Sequence, residues 1–345
     1  MYWPNAKIVK FFGITKMSNN TFPRLVADIG GTNARFSLEV APYVYSHTKV
    51  LACKDYKTLV EAVESYLNGI GVPHVEYAAI ALPTPIAGDI IFMVNNPWHT
   101  CSISETKQQL RLKNVVFLND FHALALSIPH IHSDYLIKVG GVAIDEYKPR
   151  GIVGPGTGLG VASLIRHPNG EYLAVPAEGG HSSFTPFNPE EVELWQCIHK
   201  RFPHVSFERF VSGPGLQLIY EAVCHQQQVT ISSLPSPAEI TEKALSKECW
   251  LCQTTLDHFC RMLGTIASNL AITINAFGGI YIGGGVVPRI LDYFIQSDFR
   301  CRFEDKGRLR QYLEKIPVYV ITHDFPAFLG VSYALETMIT KGYLP

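Results

Sequence analysis

Apolar and polar positions along this chain alternate between two kinds of run. Leu25 to Ile29 is a short apolar run carrying a carboxylate, Asp28, near its end, and Phe36, Leu38 and Val40 then recur at every second position. These read as two strands joined by a Gly30-Gly31-Thr32-Asn33 turn. Lys57 to Leu67 repeats Leu59, Val63, Tyr66 and Leu67 at helical spacing, and Gly69 and Gly71 stop it. Tyr77 to Leu82 is continuously apolar, as in a central strand covered on both faces. Ser102 and Glu105 have capping-box spacing for a helix through Leu110. Val115 to Leu118 is the next strand, with Asn119-Asp120 at its carboxyl end and a helix from Phe121 to Ile128 after it. Strands alternating with helices predict an α/β sheet.

The second half begins alike. Arg150 to Val153 reads as a strand, Gly154-Pro-Gly-Thr-Gly-Leu-Gly160 as a glycine loop, and Val161 to Ile165 as another strand. Gly31-Thr32 and Gly156-Thr157 each fall between two strands, an internal echo of two related halves. Glu178-Gly-Gly-His181 follows. Asn188-Pro189-Glu190-Glu191 then opens a helix whose buried side is expected to carry Val192, Leu194, Trp195 and Ile198. Glu208-Arg209 stands before Ser212-Gly-Pro-Gly215, and Ser236-Pro-Ala-Glu239 caps a further helix. Met262 to Pro288 contains no charged residue, but Asn269, Asn275 and five glycines from Gly278 to Gly285 interrupt it. It predicts a buried helix, then a strand running into a third glycine turn, rather than a membrane span. Val318 to Ile321 and Ala327 to Thr340 close the pattern as strand and helix.

A chain of 345 residues, 47% apolar and 17% charged, is long enough for two packed domains. Lys plus Arg number 29 against 30 for Asp plus Glu, a net charge of −1 that gives no field to draw in nucleic acid or an anionic membrane. The eight cysteines lack the dense spacing of a disulfide-stapled domain. Cys249-Trp-Leu-Cys252 is the close pair, with His258 and Cys260 beyond it at poor spacing for zinc, so free thiols in a reducing cytosol are expected. Residues 1–23 read as a disordered extension, with Met17 as an alternative start. Lys10 breaks the only apolar patch there, which does not suit a signal peptide. The expectation is a soluble cytoplasmic protein.

The Gly30-Gly31-Thr32-Asn33 turn can aim several backbone N–H groups at one anion, and Asp28 beside it suits a metal riding on that anion. By itself the stretch reads equally as a Gly-Gly hairpin with an incidental Asp. The second loop fails as a dinucleotide fingerprint because it has no sixth-position Gly and a strand follows it; no P-loop pattern occurs anywhere. Six segments in order resemble the bacterial glucokinase family: Asp28-Ile-Gly-Gly-Thr-Asn-Ala-Arg35, Phe117-Leu-Asn-Asp120, Gly156-Thr-Gly-Leu-Gly160, Glu178-Gly-Gly-His181, Glu208-Arg-Phe-Val-Ser-Gly-Pro-Gly215 and Ile282-Gly-Gly-Gly-Val-Val-Pro288. The resemblance covers the chain from about Arg24 onward. The related repressor and kinase family carries a zinc-binding C-x-C-G-x-x-G-C run and, in some members, a winged helix; this sequence has neither.

The resemblance implies an α/β, actin-like (ribonuclease H-like) two-domain sugar kinase fold with an active-site cleft. Residues 24–129 plus 323–345 would form the small domain and 130–322 the large one. It implies ATP-dependent phosphorylation of D-glucose at the 6-hydroxyl, with Mg2+ as cofactor, glucose and ATP as small-molecule partners, and a homodimer. Gly30, Gly31, Thr32 and Asn33, flanked by Ala27, Asp28 and Ile29, would hold phosphates together with Gly156, Thr157 and Gly158. Gly283, Gly284 and Gly285 would lie under the adenosine, and Asp28 would hold Mg2+ through water. Asp120 would be the general base, and Asn119, Asp120, Glu178, His181 and Glu208 would bind the sugar. Taken without the family, Asp120 reads equally as a helix N-cap, Glu178 as a loop acid, His181 as a structural histidine and Glu208 as half of a salt bridge with Arg209. The Asn95-Asn96-Pro97-Trp98 loop is a weaker candidate, with Trp98 as packing. The rival readings are a kinase for another hexose or another phosphoryl donor, and a sugar-sensing regulator without catalysis.

Overall fold

The structure is a computed structural model that describes residues 21–93 and 96–344. The expected disorder of the N-terminal extension therefore lies, up to residue 20, outside the described residues, as does the candidate Asn95. The chain divides into two compact units. One holds the described residues up to Phe117 together with Ser332–Leu344; the other is Leu118–Val331.

The first unit is built on a five-stranded sheet of order β3-β2-β1-β4-β7. Strand β1 (Arg24–Ile29) lies at its centre, antiparallel to β2 (Asn33–Ala41) and parallel to β4 (Tyr77–Leu82). Strand β3 (Val44–Ala52) forms one edge, and β7 (Asn114–Asn119) the other. Helix α1 (Leu59–Gly69) presents Leu59, Val63 and Tyr66 to a core of Leu25, Phe36, Ile80 and Phe117. A small ribbon, β5 (Ile90–Phe92) with β6 (Thr100–Ser102), leads into α2 (Ile103–Gln109), where Ser102 accepts the Glu105 amide as its spacing predicts. The period-two reading of β2 fails at its end. Register shifts against β3 interrupt the alternation, and Val40 is 44% exposed while Glu39 is buried. Glu39 lies 3.7 Å from the buried guanidinium of Arg24, which also pairs with Glu336 at 2.5 Å. The charge pairing, not apolar burial, fixes which side chain points inward there.

The second unit has a six-stranded sheet, β11-β10-β9-β12-β13-β8. Its strands are β8 (Leu136–Lys138), β9 (Arg150–Pro155), β10 (Leu159–Arg166), β11 (Tyr172–Ala177), β12 (Ile280–Ile282) and β13 (Val318–Ile321). Around it lie α3 (Asp120–Ser127), α4 (Pro189–His199), α5 (Gly213–Gln226), α6 (Pro237–Leu245), α7 (Trp250–Ile274), α8 (Leu291–Gln296), α9 (Phe299–Glu304), α10 (Arg310–Leu313) and the start of α11 (Pro326–Lys341). The uncharged stretch after Met262 resolves as expected into the end of α7 and strand β12. Leu256, Phe259, Leu263 and Ile266 of α7 sit in the core. Among the described residues no helix is long and apolar enough to cross a membrane.

Two expectations are corrected here. The glycine loop is shorter than the sequence suggested, because β9 and β10 claim Gly154-Pro155 and Leu159-Gly160 and leave only Gly156–Gly158 as the turn. On α4 the buried face is Glu191, Leu194 and Ile198, at helical spacing, and Val192 is 39% exposed. Glu191 goes inward because Arg302 meets it there at 2.7 Å, and a carboxylate can be buried when it is paired and hydrogen-bonded.

Candidate active site

In the first unit, the β1–β2 register sets Asp28 directly opposite Arg35. Arg35 Nη1 lies 3.3 Å from Asp28 Oδ2. Burial pushes the Asp28 carboxyl above the usual carboxylate range, and the Arg35 charge pulls the other way. The turn after it is closed by the Gly30 amide donating to Asn33 O (2.8 Å), and Thr32 O accepts the Cys53 amide (2.8 Å). Buried Asn96 donates its Nδ2 to Gly30 O at 2.9 Å and accepts the Trp98 amide on Oδ1. The Trp98 indole N–H donates to Cys53 O and Tyr56 O, so this tryptophan packs and braces, as its sequence position suggests. Thr32 and Asn33 are exposed, whereas Ala27 and Ile29 are fully buried and offer only backbone groups. Among the described residues no three His, Cys, Asp or Glu side chains form a cage for a metal ion. A single carboxylate beside an N–H-rich turn suits a magnesium ion that keeps most of its water and takes its other oxygens from a phosphate held at the turn.

The second unit gathers the remaining candidates. Strand β7 delivers Asn119, whose Oδ1 accepts the Phe121 and His122 amides at 2.9 and 3.2 Å, so Asn119 is the N-cap of α3. The capping role left open for Asp120 therefore belongs to its neighbour. Asp120 occupies the first helical position, half-buried, with Oδ1 accepting the Phe121 amide (2.9 Å) and an Asn119 Nδ2–H (3.0 Å). The Phe121 ring seats α3 on the β9–β10 hairpin, where a side chain on Gly160 would meet the ring at 2.0 Å.

On that same hairpin, Glu208 Oε2 accepts the Leu159 amide at 2.9 Å, which places the acid against the glycine turn. Gly156 O accepts the Gly213 amide at 2.8 Å, and Ser212 caps α5 while donating to Glu208 O. Glu178 and His181 stand beside them, 4.0 Å apart and 67% and 60% exposed. Their segment is joined to the Glu208 turn by the Phe207 amide donating to Ser182 O at 3.0 Å. The third glycine turn lies alongside, with the Gly283 amide donating to Val153 O (2.9 Å) and the Val286 amide to Pro155 O (3.3 Å). Gly284 has φ +76°, and a Cβ there would lie 2.3 Å from Pro155 O, so both backbone shape and space demand glycine.

Asn119, Asp120, Gly156–Gly158, Glu178, His181, Glu208 and Gly283–Gly285 thus surround the turn end of one hairpin. Acids, an amide and an imidazole there can hydrogen-bond a polyol, and an acid at a helix start can accept a proton. Sequence reasoning did not single out Arg35 as the partner of Asp28, although the two-residue turn register would have paired them. Nor did it single out Phe121 as the seat of α3, for which the chain alone carries no signal.

Comparison with known proteins follows the same line. Residues 25–338 match the family model described as Glucokinase. A glucokinase of Neisseria meningitidis is 51% identical over 315 residues, 91% of this chain and 95% of that protein. The crystal structure of a glucokinase from an Antarctic psychrotroph aligns with a TM-score of 0.82 at 33% identity, covering 91% of this chain and 99% of that one. A ROK family glucokinase from Streptomyces griseus, solved with glucose and AMPPNP, aligns with a TM-score of 0.63 at 18% identity over 91% and 99% of the two chains, a likeness of fold alone.

Proposed function

The chain belongs to the glucokinase family, and on that premise we propose how its residues divide the work of phosphorylating the sugar. Its fold is the actin-like, two-domain α/β fold of sugar kinases. Its activity is the ATP-dependent phosphorylation of D-glucose. Asp120 is the general base: its carboxylate takes the proton of the 6-hydroxyl as that oxygen bonds to the γ-phosphorus and the bond to ADP breaks. A positioned base of this kind contributes about 10²–10⁴-fold. Asn119 holds Asp120 in place through its amide, and with Glu178, His181 and Glu208 it binds glucose hydroxyls.

Backbone N–H groups of the Gly30–Asn33 and Gly156–Gly158 turns, other than the Gly30 and Gly156 amides that close the turns themselves, hold phosphate oxygens, and Gly283–Gly285 lie under the adenosine, where a side chain would obstruct it. Asp28 holds Mg2+ through water; the ion, when bound, neutralises phosphate charge. The same reading takes the enzyme as cytoplasmic and homodimeric.

The assignment rests on one observation: the carboxylates of Asp120 and Glu208 and the exposed Glu178–His181 pair are all carried by segments bonded to or packed on the β9–β10 hairpin. A coupled assay offering glucose, mannose or fructose, each with ATP or polyphosphate, tests it. Glucose with ATP is expected to give the highest kcat/KM, and absence of that turnover would end the proposal.

A further inference from the structure

Cys249-Trp-Leu-Cys252, which the phosphoryl-transfer chemistry leaves unused, folds as the start of α7, the 25-residue helix that runs through the second unit's core. Cys249 is the N-cap, and its sulfur accepts the backbone N–H of Cys252 at 3.4 Å. Two cysteines three positions apart at a helix start have Cα atoms roughly 5 Å apart, inside the window of about 4.4–6.8 Å that a disulfide requires. The two sulfurs differ in access. Cys249 is half-buried beside Trp250, which is 54% exposed, whereas Cys252 is buried. Burial, with the hydrogen bond that the Cys252 thiol donates to the Cys249 sulfur, pushes the Cys252 thiol up to about 12. Cys224 lies nearby, buried and held by Tyr220. A Cys-x-x-Cys at a helix start is the arrangement that thiol–disulfide exchange uses.

We propose that Cys249 and Cys252 form a reversible intramolecular disulfide by exchange with a low-molecular-weight disulfide, which makes the start of α7 a redox modification site. Cys249 sulfur, as thiolate, attacks one sulfur of R–S–S–R; a mixed disulfide forms and one RS⁻ departs. Cys252 then loses its proton and attacks the Cys249 sulfur, closing the ring and releasing the second RS⁻. The protein pair is oxidised by two electrons, R–S–S–R is reduced to two RSH, and the protons come from the two thiols. The amide that reaches Cys249, together with the N-terminal peptide dipoles of α7, steadies negative charge on sulfur during the attack.

The test uses the full chain, reduced and then exposed to excess oxidised glutathione, quenched in acid, alkylated while denatured and cleaved with trypsin. The fragment from Glu248 to Arg261 carries Cys249, Cys252 and Cys260. It should lose two hydrogens, with fragmentation placing the link between Cys249 and Cys252 and the alkyl group on Cys260, and dithiothreitol should reverse the change. Cys252→Ser should stop at the first step and retain one glutathione on Cys249. Cys249→Ser keeps a hydroxyl cap on the helix, so it should keep the wild-type thermal midpoint while Cys252 stays reduced. Full alkylation of both cysteines in the treated wild type, or a link to Cys224, would overturn the proposal. So would oxidation of Cys252 in Cys249→Ser at the wild-type rate.

Discussion

At the scale of single residues, Glu208 Oε2 accepts the Leu159 amide of the glycine turn, and the sugar-binding role proposed for Glu208 falls on the same carboxylate. Glutamine keeps an acceptor for that amide but removes the charge. Glu208→Gln should therefore hold its thermal midpoint while the KM for glucose rises about tenfold or more, the loss of one hydrogen bond to a charged group being roughly 1.5–3 kcal/mol. Glu208→Ala should raise KM and also lower the midpoint, because the Leu159 N–H loses its acceptor. Steady-state kinetics beside thermal melts check both, and an unchanged glucose KM in Glu208→Ala would remove this residue from the sugar site. The neighbouring Asn119-Asp120 pair shows what a sequence leaves open at this scale. A cap was legible at the end of β7, but which of two adjacent polar residues took it depended on backbone angles. Asn119 has the extended conformation of an N-cap (φ −62°, ψ 148°), which leaves Asp120 to the chemistry.

Among the elements, the third glycine turn separates a structural demand from a binding one. Gly284 needs its positive φ and the space against Pro155 O, so Gly284→Ala should cost about 1–3 kcal/mol of stability and lower the melting midpoint by several degrees. A Cβ on Gly285 would meet no atom within 4 Å. Gly285→Ala should therefore melt like the wild type and yet raise the KM for ATP; an unchanged ATP KM would mean that adenosine does not rest there. The central elements were readable from their apolar runs, as with β4, whose bounds match Tyr77 to Leu82. Three edge strands, β3, β8 and β11, were not read, because their residues are mixed and pairing on one side only leaves little apolar pattern. Ionic pairing defeated the pattern elsewhere: Glu39 and Glu191 turn inward to arginines, and Val40 and Val192 are left outside. Of the site, the residue types, their order and the two strands of the β9–β10 hairpin were legible; the gathering of the other segments around that hairpin was not, because those contacts join residues far apart in sequence.

For the whole molecule, buried ionisable groups give the two units opposite responses to acid. In the second unit burial pushes His130 and His258 down to about 4. Between roughly pH 6.5 and pH 4 the unfolded chain then binds protons that the folded unit does not, so stability is full above about 6.5. It falls as acid is added, by up to about 1.4 kcal/mol per pH unit for each histidine. In the first unit Asp28 and Glu39 are raised by burial, so their unfavourable effect on the fold eases as the pH drops. Hydrogen-exchange protection factors followed from pH 7 to pH 4.5 should fall in peptides of residues 118–331 and hold or rise in those of 21–117. Equal losses in both would contradict these assignments. The most direct measurement is a comparison of Asp120→Asn with the wild type, in which kcat for ATP-dependent glucose 6-phosphate formation is measured beside the glucose Kd. The account predicts a loss of about 10²–10⁴-fold in kcat with the Kd changed by no more than a few-fold; a variant that turns over at near the wild-type rate would contradict it.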